Sequence, residues 1–306
     1  MVRIFSEPEG EPWFTLAALA KRLLLLGRTT KLVQARLVTG DGAIVYAGEG
    51  GALDWLARLH GAQVKHTSSV DWPRLCALAS QREGLCYVEV NRLFRSLLPP
   101  GAFFTLPWIA YFADPRDNAK RKMIEATYGR KVRQQGFRFR WRSDDAAASS
   151  FYRDLYLPYV RWRFGDQAVA RGQDEIVAVV RHGFVLQALD GDQVVAAAAC
   201  RVRGTTLTFV ALGLRSESDY TALLRRGAAS ALYYEMFRWS RAHGITRVNL
   251  LRSRPHFSDG VSLHKRRFGA KPTLDPWPHA LLAIYPPLRG SLPEPAQHLL
   301  VEDGHG

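Results

Sequence analysis

The chain has 306 residues, 47% hydrophobic and 23% charged, and carries a formal net charge of +14. That length exceeds what one compact core usually holds and suffices for two, and the apolar content excludes a disordered chain. The positive excess, mostly arginine, favours anionic partners such as nucleotide phosphates, coenzyme A, RNA or acidic lipid head groups, and does not choose among them.

The amino terminus reads Ser6-Glu7-Pro8-Glu9-Gly10-Glu11, acidic where a secretion signal carries positive charge. Trp13–Leu26 is apolar but interrupted by Lys21-Arg22, which predicts an amphipathic or partly buried helix ended by Gly27 and not a membrane span. Cys76, Cys86 and Cys200 fit no metal-ligand spacing and read as reduced thiols. These features predict a cytoplasmic protein without a metal or a transmembrane segment; peripheral binding at the inner face of a membrane stays open.

Two apolar runs, Leu32–Val38 and Ile44–Ala47, flank Thr39-Gly40-Asp41-Gly42 and predict a hairpin. Short helices are expected over Leu53–Leu59, ended near Gly61, and over Trp72–Arg82, with Pro73 in its first turn. Cys86–Val90 is a compact β-type run, and Pro99, Pro100 and Pro107 end regular structure over Leu97–Pro107. The expected domain boundary lies at Ala113-Asp114-Pro115-Arg116, giving a small α/β domain over residues 1–115 and a second domain over 116–306.

The second domain opens with a basic helical stretch, Arg116–Gln135, ended by Gly136. A strand, Phe137–Trp141, precedes Ser143-Asp144-Asp145, which caps a helix over Ala146–Tyr156. Phe184–Leu189, Val194–Val202 and Thr206–Leu212 are separated by tight turns and predict an antiparallel meander. The apolar period then changes from 2 to 3.6: Leu224, Ala228, Leu232, Met236 and Trp239 mark one long helix over Tyr220–His243, stopped by Gly244. A strand over Arg247–Leu251, a polar loop to Gly260, a short helix over Val261–Phe268 and a last strand over Leu281–Tyr285 complete the chain. A meander feeding a helix and then a strand is not a doubly wound order, and no Gly-x-Gly-x-x-Gly is present, which excludes a Rossmann dinucleotide site.

Three stretches in this order resemble the GNAT acyltransferase superfamily, in particular its FemAB-like branch of peptidoglycan- and polysaccharide-type transferases. They are Arg121–Gly165, ending Arg163-Phe164-Gly165; Asp190–Ala199; and Gly227–Trp239 with Gly244, the strand to Leu251, and Leu263-His264-Lys265-Arg266-Arg267-Phe268-Gly269-Ala270. His264 stands where the family motif has an aromatic hydrophobe. The resemblance implies an α/β fold, a GNAT-like mixed sheet flanked by helices, in two tandem halves of which the first is degenerate. It also implies that the strands around Thr206–Leu212 and Arg247–Leu251 share one sheet and diverge.

Acyl transfer needs backbone N–H groups for donor phosphates, a cation or donor for the developing oxyanion, and a base for the nucleophile. For the first, the resemblance implies Arg225-Arg226-Gly227-Ala228 as the phosphate loop, with Leu212 and Gly213 also on the donor; small helix-packing residues would explain Gly227 and Ala228 equally well. Lys265 is the expected catalytic cation, with His264 and Asp259 as further catalytic candidates. Arg163, Arg252, Ser253, Arg254 and His256 are the expected substrate-binding set. The expected function is transfer of an acyl group, acetyl foremost, from acyl-CoA as cosubstrate to an amine or hydroxyl of a sugar, peptide or cell-envelope precursor. Aminoacyl transfer from a charged tRNA, and a non-catalytic GNAT-like RNA- or anion-binding protein, are the alternatives.

Overall fold

The computed structural model describes residues 32–40, 42–165, 170–215, 219–273, 280–289 and 291–299. The helix expected over Trp13–Leu26 lies outside the described residues. The chain forms two compact units, Met1–Pro107 with Trp277–Gly306, and Trp108–Pro276. This differs from a single boundary at residue 115. The reason is the strand Leu281–Tyr285, expected to close the second half, which hydrogen-bonds to strands of the first unit.

The first unit carries strands β1 (Leu32–Thr39), β2 (Gly42–Gly48), β3 (Gln63–Val70), β4 (Cys86–Val90), β5 (Phe103–Thr105) and, from the far end of the chain, β13 (Leu281–Tyr285). Its helices are α1 (Leu53–Leu59) and α2 (Trp72–Gln81), the latter capped by Asp71, whose Oδ1 accepts from Arg74 N at 2.9 Å. The hairpin β1/β2 closes as the sequence predicts, with Thr39 opposite Gly42. The strand β3 was not expected: seven of its eight residues are exposed, so no alternation marks it. It lies at the sheet edge and carries Lys65, a charge that suits an unpaired edge. The sheet order is β3-β1-β2-β4-β13-β5. Alternation sends Tyr46, Tyr87, Leu282 and Ile284 toward α1, and Ala47, Cys86, Val88, Ala283 and Tyr285 toward α2. Burial raises the Cys86 thiol to about 12.

The second unit carries β6 (Ile109–Ala113), β7 (Arg138–Arg142), β8 (Gly183–Asp190), β9 (Gln193–Arg203), β10 (Thr206–Leu214), β11 (Arg247–Ser253) and β12 (Lys271–Thr273), ordered β12-β6-β11-β10-β9-β8-β7. The basic stretch is helical as expected but in three parts: α3 (Asn118–Ile124), a π-helical turn over Glu125–Gly129, and α4 (Arg130–Gln135). The next helix repeats the device, with α5 (Asp145–Ser150), a π-helical segment over Phe151–Tyr156, and α6 (Leu157–Phe164). Asp144 caps it by accepting from Ala147 N at 2.8 Å. Helix α7 (Gln173–Arg181) was not expected, although Ile176, Val179 and Val180 carry helical spacing. These helices cover one sheet face through Phe151, Leu155, Ile176 and Val180.

The predicted long helix is broken. Gly227 adopts φ +86 and divides α8 (Tyr220–Arg226) from α9 (Ala228–Ala242). A left-handed residue ends one helix and lets the next begin in a new direction, which glycine does at least cost. Helix α9 rests on the second sheet face, where Tyr233 stacks on Phe209 and Trp239 packs at a tilt against Phe184. Helix α10 (Gly260–Arg267) follows β11. A short helix, α11 (Glu294–Gln297), belongs to the first unit.

The two sheets share one pattern. Each has an antiparallel run, then a parallel pair (β2/β4 and β10/β11), then an antiparallel strand inserted before an antiparallel edge strand. The inserted strands are β13 in the first sheet and β6 in the second; β13 comes from the far end of the sequence, whereas β6 opens the continuous segment of its own unit. This is the GNAT-like mixed sheet with flanking helices that the resemblance implied, present twice. Because β13 sits between β4 and β5, truncation after Pro276 is expected to abolish amide protection in β1, β2 and β4 while β8, β9 and β10 keep theirs. Hydrogen exchange read by mass spectrometry checks this; equal protection of the first sheet with and without residues 277–306 would refute the inserted strand.

Candidate active site in the second unit

Strands β10 and β11 pair in parallel only through Thr206–Arg247, Leu207–Val248 and Thr208–Asn249. Beyond Thr208 the edge of β10 toward β11 has no ladder partner among the described residues, and the two strands part as the sequence reading expected. Both are irregular at this level. The register of β10 against β9 shifts between Phe209 and Ala211, and that of β11 against β6 shifts between Asn249 and Arg252. Leu251 takes φ +60, costly for a branched residue. Two side chains hold it: Asn249 Oδ1 accepts from Leu251 N at 2.8 Å, and Lys265 Nζ donates to the carbonyls of Leu251 (3.1 Å) and Arg252 (2.9 Å).

This placement corrects the role expected for Lys265. Its side chain is 3% exposed and its ammonium is spent on two carbonyls of the bulge, with the Tyr111 ring 5.5 Å away. It shapes the cleft through β11 and does not present a free cation to a substrate. Burial lowers its pKa from 10.5 to about 7, opposed by the charge of Asp259. Asp259 is itself the cap of α10, accepting from Ser262 N at 2.7 Å, which is a structural duty and not that of a base. Tyr111 Oη and Ser262 Oγ, 2.5 Å apart, tie the same helix to β6.

One residue before Lys265, His264 faces α9. Its ring meets Tyr233 edge-on at 4.6 Å and lies 5.2 Å from Phe268, and Tyr233 in turn packs on Phe268 at 5.1 Å. The Nε2 atom is buried and has no hydrogen-bond partner among the described residues. Desolvation first, then the charges of Arg267, Arg163 and Lys265, lower the imidazole from 6.5 to about 4. The ring is therefore neutral at physiological pH, and Nε2 is a hydrogen-bonding atom without a partner among the described residues. Burial pushes the Tyr233 hydroxyl far above its usual range, so it stays protonated.

Arg163 belongs to this neighbourhood, since its charge acts on both His264 and Tyr233. Its Nη1 donates to Tyr159 Oη at 2.8 Å, and its guanidinium lies over the Tyr159 and Phe164 rings at 6.0 and 5.7 Å. Tyr220 joins Tyr159 at 5.6 Å and Trp162 at 4.8 Å, and Trp162 and Phe164 are about half exposed. Tyr159, Trp162, Tyr220 and Asn249 were not singled out from sequence. Only the interleaving of Arg161, Trp162, Arg163 and Phe164 carries a signal for them.

The other expected residues take separate places. Gly213 lies where β10 meets the π-helical segment: a Cβ there would overlap the backbone of Leu155 and Tyr156. Leu212 is half-buried beyond the parting point of β10. Arg226 is engaged by Asp190 (2.7 Å) and Gln135 (3.0 Å) and lies over Phe137, so it is no free anion contact. Arg225 is exposed, and its carbonyl accepts from Lys131 Nζ at 2.8 Å. Gly227 is the helix break and Ala228 the first residue of α9, whose start has no side-chain cap. Arg254 stacks over Trp108 at 3.8 Å. His256 Nδ1 accepts from Ser258 and orders its own loop. Ser253 is buried with an unpartnered Oγ among the described residues, and Arg252 is half-buried with its carbonyl on Lys265.

No protein-family model matches the sequence, and no curated protein matches it. Among solved structures, L-PGS from Bacillus licheniformis is similar at 14% identity and a TM-score of 0.41, covering 97% of each chain. FemX is similar at 11% identity and a TM-score of 0.44, covering 91% of this chain and 93% of that one. A C-terminal domain (DUF2156), described as that of a lysylphosphatidylglycerol synthetase from Agrobacterium fabrum, is similar at 11% identity and a TM-score of 0.40, covering 83% and 81%. At these values the likenesses carry no argument about activity, and the fold rests on strand order and register. Among the described residues no group of three or more His, Cys, Asp or Glu could hold a metal ion, and no helix is long and apolar enough to cross a membrane.

Two expectations follow from the buried groups. Lys265→Met leaves two carbonyls unpaired and should destabilise the protein by roughly 2–4 kcal/mol, against less than about 0.5 kcal/mol for Arg266→Ala. Since the folded pKa of Lys265 is lowered, the unfolded chain holds more protons between about pH 7 and 10.5, and the wild-type advantage over Lys265→Met should grow as pH rises through that window. Denaturant unfolding at pH 7 and 9.5 checks both. His264 is also lowered, so its contribution is complete above pH 6.5 and lost as pH falls through about 4. A His264→Phe variant should lack that acid sensitivity; parallel stability curves from pH 7 to 4 for the two proteins would contradict the buried, neutral imidazole.

Proposed function

We propose that the second unit is an acyltransferase that moves an acyl group from acyl-CoA to an amine or hydroxyl of a sugar, peptide or cell-envelope precursor. The observation that carries this reading is the parting of β10 and β11 beside a neutral, buried imidazole whose Nε2 has no partner among the described residues. The unpaired edge of β10 beyond Thr208 offers main-chain groups to the donor's pantetheine amides and thioester carbonyl. The uncapped start of α9, with Lys131 beside it, offers N–H groups and a cation for donor phosphates.

In this reading the acceptor nitrogen or oxygen attacks the thioester carbonyl. The new C–N or C–O bond forms first and the C–S bond then breaks. His264 takes the acceptor's proton, directly or through one water, as the tetrahedral intermediate forms, and passes it to the departing thiolate, which leaves as coenzyme A with the imidazole neutral again. Arg163, held by Tyr159, orients an anionic or carbonyl group of the acceptor. Lys265 and Asn249 keep the cleft open by fixing β11.

A second reading, transfer from a charged tRNA, is favoured by one observation. Trp162 and Phe164 stand half exposed beside Arg163 on a chain of net charge +14, a surface suited to unpaired bases and phosphates. The two readings separate by thermal shift with coenzyme A or tRNA at two salt concentrations, where tRNA binding alone should fall steeply with salt.

The acyl-CoA reading is tested by thiol release from acetyl-CoA with a panel of amino sugars and short peptides. His264→Gln should lower kcat/KM by about 10²–10⁴-fold with an unchanged melting temperature. The wild-type profile should show no ionisation of His264 between about pH 5 and 8, because burial lowers the imidazole to about 4; an ionisation near 7 is instead expected from Lys265, which fixes β11. Full turnover in His264→Gln would remove the imidazole from the chemistry.

A further inference from the structure

The first unit has its own parallel pair, followed by a turn from strand to helix. The comparison is informative because the first pair does not part. Strands β2 and β4 stay in register from Val45–Cys86 to Gly48–Glu89, the last residue of β2, and Glu49 N continues to Glu89 O at 3.3 Å. The turn Gly48-Glu49-Gly50-Gly51-Ala52 then leads into α1. It is rich in the residue that lets an anion approach backbone N–H groups.

The anion present there is the protein's own. Glu89, on β4, is 3% exposed, and its Oε2 accepts from Ala52 N at 2.9 Å and from the Tyr46 hydroxyl. Tyr46 Oη in turn accepts from Gly50 N at 2.7 Å. A Cβ on Gly51 would come within 2.9 Å of Glu89 Oε1, and one on Gly48, where φ is +155, would overlap the Glu89 backbone. The glycines are therefore shaped around this carboxylate. Tyr46 and Glu89 lie on the same sheet face as α1, and no side-chain cation is paired with Glu89 among the described residues. Backbone N–H groups and one phenol stabilise the charge, as they would a phosphate oxygen.

We propose that Glu89 is an internal ligand that fills, in the first unit, the anion position at the end of β2, so that the chain carries a single acyl-donor site, in the second unit. The location of that donor site rests on the acyl-CoA reading above; the internal ligand does not. The first unit is then a copy whose cleft is zipped along β2/β4 and whose phosphate turn is permanently occupied.

Amide hydrogen exchange and heteronuclear NMR of the full-length chain test this. Glu89→Gln removes the charge at constant size and should speed exchange of Ala52 and Gly50 N–H at least about 10-fold. Tyr46→Phe should speed Gly50 alone, because Glu89 still accepts from Ala52 directly. In both variants the Leu282 and Ile284 amides of β13 should keep their protection, which separates loss of a ligand from loss of fold. In the wild type, millimolar pyrophosphate or coenzyme A should leave the resonances of residues 48–53 unmoved. The proposal is overturned if either probe shifts those resonances, or if Glu89→Gln exchanges like the wild type. Should Glu89→Gln fail to fold, the Tyr46→Phe pattern and the wild-type titration decide. Coenzyme A that shifts neither unit would defeat the donor reading of the second unit and leave the Glu89 assignment to the exchange rates.

Discussion

A buried ammonium holding two main-chain carbonyls is the interaction on which the second unit's cleft depends. A parallel pair extends its ladder unless something prevents it, because each added hydrogen bond satisfies groups that burial would otherwise leave unpaired. Lys265 prevents it by taking the carbonyls of Leu251 and Arg252 at the point where β11 bulges, while Asn249 takes the Leu251 N–H. The arrangement offsets the desolvation of the charge with two carbonyls, an aromatic face and the nearby Asp259. The rest of α10 follows from helical spacing. Ser262 and Lys265, three apart, turn toward β6 and β11, whereas His264 and Phe268, four apart, turn toward α9 and meet Tyr233. One short helix thus opens the cleft with one face and furnishes it with the other.

The same sheet pattern gives opposite outcomes in the two units. In the first, β2 and β4 remain paired to the end of β2 and the following turn closes on Glu89. In the second, β10 and β11 part after Asn249. The difference lies in a few side chains at equivalent places: a carboxylate on β4 that satisfies the turn, and on β11 an asparagine and a leucine in a left-handed conformation that break the ladder. A duplicated fold can in this way divide its labour, with one copy's stability secured by the groups the other leaves free.

Much of the positive charge is already committed. Arg138, Arg142, Arg181 and Arg226 pair with Asp192, Asp144, Asp145 and Asp190 on the surface, where such pairs contribute little to stability. Others lie on aromatic faces, Arg247 on Phe112, Arg254 on Trp108 and Arg266 on Phe257.

The sequence by itself determined the elements whose signals are local. The β1/β2 hairpin, helices α1 and α2, the meander β8–β10, the Asp144 cap and the strand after Gly244 all follow from period, turn residues and caps within a few positions of one another. It also singled out Lys265 as the candidate cation, with His264 as a further candidate. What each of them does was decided only by tertiary structure, because adjacent residues on a helix face different neighbours: Lys265 met carbonyls and His264 met an aromatic nest without a partner for Nε2. The break at Gly227 needed a left-handed residue that helical periodicity across Leu224 and Ala228 conceals. The placement of Leu281–Tyr285 between β4 and β5 could not be read at all, since a strand's hydrophobic pattern states that it will be buried and is silent about which sheet will bury it.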